Sequence, residues 1–268
     1  MDRSVSARLV FRTTSDTKVA LAISVARNTG YTSFEESLSV TADGVEVRLT
    51  ELADHHGGRI HYMEFPDPAE VTVEYSASVG GRATPEEAHL ADLIRYVRPS
   101  RYAESDKLLP TAYAEFGGVH GEQLLHAVRN WVHGELRYIS GSSRGTDGAV
   151  ETLLHRSGVC RDFAHLAIAL LRSKDIPARL TAVYAPGLSP MDFHAVAEAH
   201  INGAWHAIDP TGLAPRESML RITAGRDSAD TAFLSTLGGS LILNDLRVTA
   251  VVNGNLPQED PARLLMLR

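Results

Sequence analysis

The sequence contains a single cysteine, Cys160, among 268 residues. One cysteine excludes a disulfide within the chain, and it cannot build a cysteine-based zinc site alone. Proteins of oxidising compartments commonly carry disulfides, whereas cytoplasmic proteins keep their thiols reduced. We therefore expect this chain to work in the cytoplasm.

Long apolar runs and long runs of one charge are also missing. No stretch is apolar for the roughly 20 residues that a membrane helix needs, and residues 1–8 have no apolar signal core. The formal net charge is −7, with acidic and basic side chains interspersed, which does not favour generic binding to nucleic acid. A hydrophobic fraction of 44% supports a packed core. We predict a soluble protein with neither nucleic-acid nor membrane partners.

The residues around the single cysteine predict the start of a helix. Phe163, Leu166 and Leu170 recur at helical spacing, and the turn-forming residues 157–158 precede them. The helix should begin near Cys160, where free backbone N–H groups and the positive end of the helix dipole stabilise negative charge on sulfur. Cys160 is therefore a candidate nucleophile. The alternative is a small buried hydrophobic residue, as most free cysteines are.

Two strands separated by Asn-Gly at residues 202–203 form the clearest hairpin signal in the chain. With a two-residue loop, Ile201 pairs with Ala204. His194 and Asp209 then become diagonal neighbours on one face of the sheet, roughly 7–8 Å apart. A three-residue loop would instead put Asp209 on the opposite face, because side chains alternate along a strand.

Each of these two residues also has an ordinary structural interpretation. His194 alone would be a half-buried strand histidine, and Asp209 could open a turn before Pro210. With both on one face, His194 is a candidate general base and Asp209 the group that orients it. A turn at Pro210 and an orienting role for Asp209 are compatible.

Other polar residues near these motifs are weaker candidates. His165 lies about 140° around the helix from Cys160, so we interpret it as a packing histidine. Glu198 and His200 share the face of His194, where they could extend the site or line the cleft, but we expect that part of the face to be solvated. Together with His206 they match no recognised ligand spacing. We predict no metal and no cofactor.

The order of a helix-start cysteine, a strand histidine and a hairpin aspartate resembles the transglutaminase-like cysteine enzymes. Residues 158–166 resemble the nucleophile motif of the bacterial branch, and 192–195 and 209–211 resemble its histidine and aspartate motifs. Residues 98–102 are similar to the start of its catalytic domain, and 225–230 to a loop that follows the aspartate motif.

One position departs from the resemblance. Val196 stands where the bacterial family often has an aromatic residue, which weakens any transfer of substrate preference but does not affect the triad.

The resemblance implies an α+β fold with a papain/transglutaminase-like core. A helix bearing Cys160 would pack on an antiparallel sheet bearing His194 and Asp209, after a small all-β domain. Alternating apolar residues in the first 80 positions agree with such a β domain. We predict a β-sandwich-like domain over residues 1–82 and the catalytic domain over residues 83–268.

Three predictions concern local structure near and after this boundary. We expect a helix capped by Thr84, with Pro85 in its first turn, that runs to about Arg95. We expect mostly irregular chain over 211–239. Residues 241–243 and 248–252 are predicted to form a last pair of strands.

The implied function is thiol-dependent acyl transfer on an amide or peptide bond through a Cys160–His194–Asp209 triad. Hydrolysis is favoured because water needs no second-substrate site, which predicts a cysteine protease or amidase with a peptide or protein substrate. An amine-accepting transferase and a non-catalytic peptide-binding scaffold remain alternatives. The Cys160 backbone N–H is the natural oxyanion donor, with Trp131 or Tyr138 as a possible second one; either aromatic residue could equally belong to the core.

Overall fold

The computed structural model describes all 268 residues. Seven strands form the first part of the chain. In β1, alternate side chains are buried, as the period of two in its sequence requires. The seven strands are β1 Asp2–Thr13, β2 Thr17–Leu21, β3 Tyr31–Ala42, β4 Val45–Glu46, β5 Thr50–Ala53, β6 Arg59–Phe65 and β7 Glu70–Gly81.

The rest of the chain contains six α-helices and eight strands. The helices are α1 Leu90–Tyr96, α2 Ser105–Phe116, α3 Gly121–Glu135, α4 Ala149–His155, α5 Cys160–Arg172 and α6 Ser228–Thr231. The strands are β8 Arg137–Tyr138, β9 Ser157–Gly158, β10 Ala178–Tyr184, β11 Phe193–Ile201, β12 Ala204–Ile208, β13 Leu220–Gly225, β14 Leu234–Thr236 and β15 Leu241–Val252. No helix has both the length and the apolar character to cross a membrane.

Three antiparallel sheets organise the molecule. The first has the order β15-β1-β7-β3-β4 and the second β14-β2-β6-β5, and apolar side chains from both join in one core. The third has the order β12-β11-β10-β13. A second core lies between this third sheet and α2, α3 and α5. The hairpin and the cysteine helix therefore meet in one packed unit.

The predicted helix at Thr84 does not form. The backbone N–H of Thr84 donates to the carbonyl of Thr29 at 2.7 Å, and Glu86 accepts hydrogen bonds from Arg179 and Arg221, both at 2.6 Å. These contacts hold residues 82–89 outside any helix, and α1 begins only at Leu90. Tertiary contacts here outweigh a favourable local capping sequence.

The last third of the chain is more regular than predicted. Residues 220–225 form β13, an edge strand of the third sheet, and 234–236 form β14. Residues 241–252 form one strand, β15, rather than a pair, and it lies against β1 in the first sheet. The helix at 105–116 was also not foreseen. The strands β14 and β15 thus join the two sheets formed by the first part of the chain. The domain boundary between residues 82 and 83 stays a prediction.

Candidate active site

The cysteine lies at the first position of α5, as predicted. The carboxylate of Asp162 accepts a hydrogen bond from the backbone N–H of Val159 at 2.8 Å and so caps the helix. A side chain at Gly158 would collide with Asp162, because a Cβ there would lie 2.6 Å from the Cβ of Asp162. Glycine before the helix therefore lets its own cap approach. The side chain of Cys160 remains half-buried.

The hairpin has the predicted register. Ile201 pairs with Ala204, and Asn202 and Gly203 have φ angles of 51° and 79°. Positive φ at both positions is the geometry of the two-residue turn that Asn-Gly favours. The side chain of His194 reaches Asp209 on the adjacent segment, with Nε2 at 2.9 Å from Oδ2.

Asp209 is buried and fully engaged. Its Oδ1 accepts hydrogen bonds from the backbone N–H of Thr211 at 2.8 Å and from the Thr211 hydroxyl at 2.7 Å. Burial alone would raise the pKa of Asp209, but the charge of His194 and the hydrogen bonds from His194 and Thr211 lower it below its ordinary value. The aspartate is therefore held as a carboxylate in one orientation.

His194 shows the complementary behaviour. Burial alone would lower its pKa, but the Asp209 carboxylate and then the Cys160 sulfur raise it to about 10. The other ring nitrogen, Nδ1, is buried and has no hydrogen-bond partner in the free protein. Nε2 is thus engaged by Asp209, while Nδ1 remains available for proton transfer.

Tyr138 is the better placed of the two aromatic candidates. It lies on β8, where it pairs with Gly158 two residues before Cys160. Burial first and the Cys160 sulfur second raise the pKa of Tyr138 to about 12, so its hydroxyl keeps its proton at neutral pH. Trp131 packs against Phe116, with ring centroids 5.9 Å apart, and its Nε1 donates to Glu115.

A cleft of about 450 Å³ opens beside these groups. Cys160, His194 and Asp192 line it, together with Arg161, whose guanidinium is paired with Asp162 at 3.1 Å. Twelve of its 18 lining residues are hydrophobic. The nucleophile candidate therefore faces a largely apolar space.

The expectation that Glu198 lies on a solvated face is wrong. Its carboxylate is completely buried and accepts hydrogen bonds from Arg179 at 2.9 Å and from Thr181 and Arg221 at 2.6 Å. Arg179 and Arg221 also bind Glu86. We call these four charged residues the ion cluster. Buried charges need such partners. The four residues come from three strands and one loop, so no spacing in the sequence indicated the cluster.

The remaining histidine candidates have structural contacts. His165 is buried against the ring of Tyr102, with centroids 5.4 Å apart, and its Nε2 accepts from the backbone N–H of Ser228. Burial lowers the pKa of His165 to about 3, so it is neutral. His200 packs edge-on against Trp205. No group of three or more His, Cys, Asp or Glu side chains has the arrangement of a metal site.

The fold and this site define an α+β protein with a transglutaminase-like core. The family model described as transglutaminase-like superfamily matches residues 115–210. The crystal structure of a "Putative Cysteine Protease" from Cytophaga hutchinsonii is 31% identical, covers 98% of this chain and 96% of its own, and superposes with a TM-score of 0.87. The chain belongs to the transglutaminase-like superfamily.

Two curated mycobacterial relatives match a shorter part of the chain. An uncharacterised protein of Mycobacterium leprae is 30% identical over 139 residues, which are 47% of this chain and 48% of that protein. One of Mycobacterium tuberculosis is 32% identical over 123 residues, 40% of this chain and 39% of its own. The chain thus matches about half the length of these relatives or less.

Proposed function

We propose that this protein is a thiol-dependent acyl-transfer enzyme that hydrolyses amide or peptide bonds, with Cys160, His194 and Asp209 as its catalytic residues. One observation carries the proposal: the only cysteine of the chain begins a helix beside a buried histidine–aspartate pair, and the cysteine and histidine line the same cleft. The likeness to the Cytophaga protein described as a "Putative Cysteine Protease" supports the same class.

The proposed reaction has two halves. The Cys160 sulfur attacks the carbonyl carbon of the substrate, and His194 gives a proton to the leaving amine as the C–N bond breaks. This leaves a thioester between the acyl group and Cys160. His194 then takes a proton from water, whose oxygen attacks the thioester, and the acid departs as the proton returns to sulfur.

Two groups would stabilise the oxyanion that forms in each half. The backbone N–H of Cys160 is in the first turn of α5, where N–H groups have no partner within the helix. The hydroxyl of Tyr138 stays protonated at neutral pH because its pKa is about 12, so it can serve as a second donor. Asp209, whose pKa is lowered, would remain ionised throughout and balance the charge on the imidazolium.

A second candidate function is transfer of the acyl group to an amine. Asp192 supports it, because this carboxylate lines the cleft and accepts a hydrogen bond only from the backbone N–H of Phe193. Burial raises the pKa of Asp192, with the charge of His194 acting against the rise. An ionised carboxylate there would attract an ammonium group. Hydrolysis remains our first choice because water needs no such site.

The decisive experiment follows hydrolysis of a library of fluorogenic peptide amides by the wild-type chain and by Cys160→Ala. We expect turnover that the variant loses while its circular dichroism spectrum is unchanged. Release of free acid without added amine supports hydrolysis, whereas turnover that appears only with amine favours the transferase. Binding of a peptide without turnover, both with and without added amine, would favour a peptide-binding scaffold. The assay contains a reductant, which keeps Cys160 as a free thiol and breaks no disulfide, because the chain has only one cysteine. Reducing conditions also match the cytoplasmic location that we infer.

A further inference from the structure

Four large apolar side chains that line the cleft beside Cys160 are only half-buried. Phe193, Phe233, Leu234 and Leu246 line it, and the rings of Phe193 and Phe233 have centroids 5.1 Å apart. We call these four residues the apolar wall. Concentrated apolar surface of this kind is a feature of ligand-binding grooves.

The apolar wall is built by strands from two parts of the fold. Phe193 begins β11 in the third sheet. Leu234 lies on β14 opposite Leu21 of β2, and Leu246 lies on β15 opposite Leu9 of β1. Strand pairing with the first two sheets therefore holds part of the wall in the cleft that Cys160 also lines. The strands β14 and β15 therefore shape the cleft in addition to completing the second and first sheets.

Charge in the cleft also selects against acidic groups. Arg161 and Asp192 are the only Asp, Glu, Lys or Arg side chains that line it. The guanidinium of Arg161 is occupied by Asp162 and by the hydroxyl of Ser143 at 2.6 Å. An acidic substrate side chain would meet the carboxylate of Asp192 and lose hydration against the apolar wall. It would gain no free cation, because the imidazolium of His194, which also lines the cleft, is already paired with Asp209.

We propose that the apolar wall binds an aromatic or branched aliphatic side chain of the substrate, next to the carbonyl that Cys160 attacks. The proposal rests on the proposed function and names its substrate class. A cleft of about 450 Å³ lies in the range of about 300–1,000 Å³ typical of ligand pockets. The C-terminal strands β14 and β15 thus help to determine which acyl groups are accepted.

Affinity labelling of the single cysteine tests this pocket without requiring turnover. We would measure the rates at which the chloromethyl ketones of N-acetylphenylalanine and N-acetylaspartate alkylate Cys160, each divided by the rate with iodoacetamide. Burial of a phenyl group predicts a rate about 10- to 100-fold higher for the phenylalanine reagent. Rates that agree within about twofold, or a faster aspartate reagent, would overturn the proposal.

A variant pair then locates the preference. Leu246→Arg places a cation in the apolar wall and should reduce the ratio of phenylalanine to aspartate labelling at least about tenfold. Ile242→Arg is the matched control, because Ile242 is on the same strand, 72% exposed, and outside the cleft. An unchanged ratio in Leu246→Arg, or an equal loss in both variants, would contradict the proposal.

Folding is checked separately by circular dichroism and by the iodoacetamide rate. If Leu246→Arg does not fold, Phe233→Ala replaces it, and loss of ring contact should lower the phenylalanine preference about threefold or more. Its failure to do so would count against the apolar wall. Selective labelling without hydrolysis would reject the proposed function but support the apolar wall as a side-chain pocket. Hydrolysis without selective labelling would support the proposed function but reject that pocket. Resistance of the folded protein to all three reagents would contradict both.

Discussion

Nε2 of His194 lies 2.9 Å from Oδ2 of Asp209, and the two side chains are only 1% and 2% exposed. Charges so well shielded from water interact strongly, provided that their geometry and hydrogen bonds are good. Thr211 supplies the remaining hydrogen bonds to the carboxylate. The pair is therefore formed before any substrate arrives.

The stability of the protein should depend on pH through this pair. The pKa of His194 rises from 6.5 to about 10 on folding, so its contribution is complete below pH 6.5 and is lost as the pH rises through about 10. The pKa of Asp209 is lowered below 3.8, so its contribution is present above pH 3.8 and is lost as the pH falls through its folded-state value. We expect the loss of unfolding free energy in Asp209→Asn to be largest between pH 3.8 and pH 6.5, where both contributions are complete.

Urea unfolding of the wild type and Asp209→Asn measures this difference. It should shrink by up to about 1.4 kcal/mol per pH unit between pH 6.5 and about 10. Glu70→Gln, which alters an exposed pair with Arg12, serves as the control and should show no trend in that interval. A difference that is constant or grows toward alkaline pH would refute the charged pair.

Alkylation of Cys160 by iodoacetamide should stay fast well below pH 8.5. An ordinary thiol reacts slowly there because little of it is ionised, but an imidazolium at His194 would balance negative charge on the sulfur. The single cysteine makes the rate unambiguous. In His194→Ala we expect an ordinary thiol profile. Identical profiles for the two proteins would argue against a thiolate–imidazolium pair.

Substitution of Asp209 should harm turnover less than substitution of His194. His194→Ala removes the acid and base and should lower kcat/KM about 10³-fold or more, whereas Asp209→Asn disturbs orientation and charge and should cost about 10- to 100-fold. Steady-state kinetics on the best amide substrate gives the ranking. His126→Gln is the control, because His126 is a half-buried histidine of α3 that pairs with Glu122 and lies outside the cleft. Negligible effects of both site substitutions would rule out the triad.

Loss of the Tyr138 hydroxyl should weaken oxyanion stabilisation. Tyr138→Phe keeps the ring that packs near Phe163 but removes the donor, so we expect kcat to fall about tenfold or more with little change in KM. Tyr113→Phe, on the exposed side of α2, controls for loss of a tyrosine hydroxyl. An effect on KM alone would assign Tyr138 to substrate binding instead.

Neutralising Glu198 should destabilise the whole protein. Glu198→Gln leaves Arg179 and Arg221 buried with one carboxylate fewer, and breaking such a buried cluster costs about 3–5 kcal/mol. Glu70→Gln, at the surface pair with Arg12, should cost at most about 1 kcal/mol. Urea unfolding at neutral pH compares them. A loss for Glu198→Gln no larger than that of the surface control would show that the ion cluster contributes little.

Much of the candidate site was predictable because its signals are local. The helix start at Cys160 follows from apolar spacing and a preceding turn. The neighbourhood of His194 and Asp209 follows from the two-residue Asn-Gly loop, since loop length sets strand register and register sets the face. Within β11 and β12 no distant contact was needed to reach that conclusion.

Features that depend on distant partners could be decided only by the tertiary structure. Glu198 has the sequence pattern of a solvated strand residue, yet Arg179 and Arg221 from neighbouring strands bury it. Thr84 has good capping chemistry, yet Glu86, two residues further on, is bound by Arg179 and Arg221 and no helix forms there. In both cases the energy of a contact between remote residues exceeds a local preference of a few tenths to about 1 kcal/mol.

The cleft itself belongs to this second class. The sequence determined which residue is the nucleophile candidate, because a single cysteine and its helix are local facts. Only the tertiary structure decided that Leu246 and Phe233, more than 70 residues further along the chain, line the space in front of it. Pairing of β15 with β1 joins the two ends of the chain, and such long-range pairing is set by the burial of whole sheets rather than by any short motif.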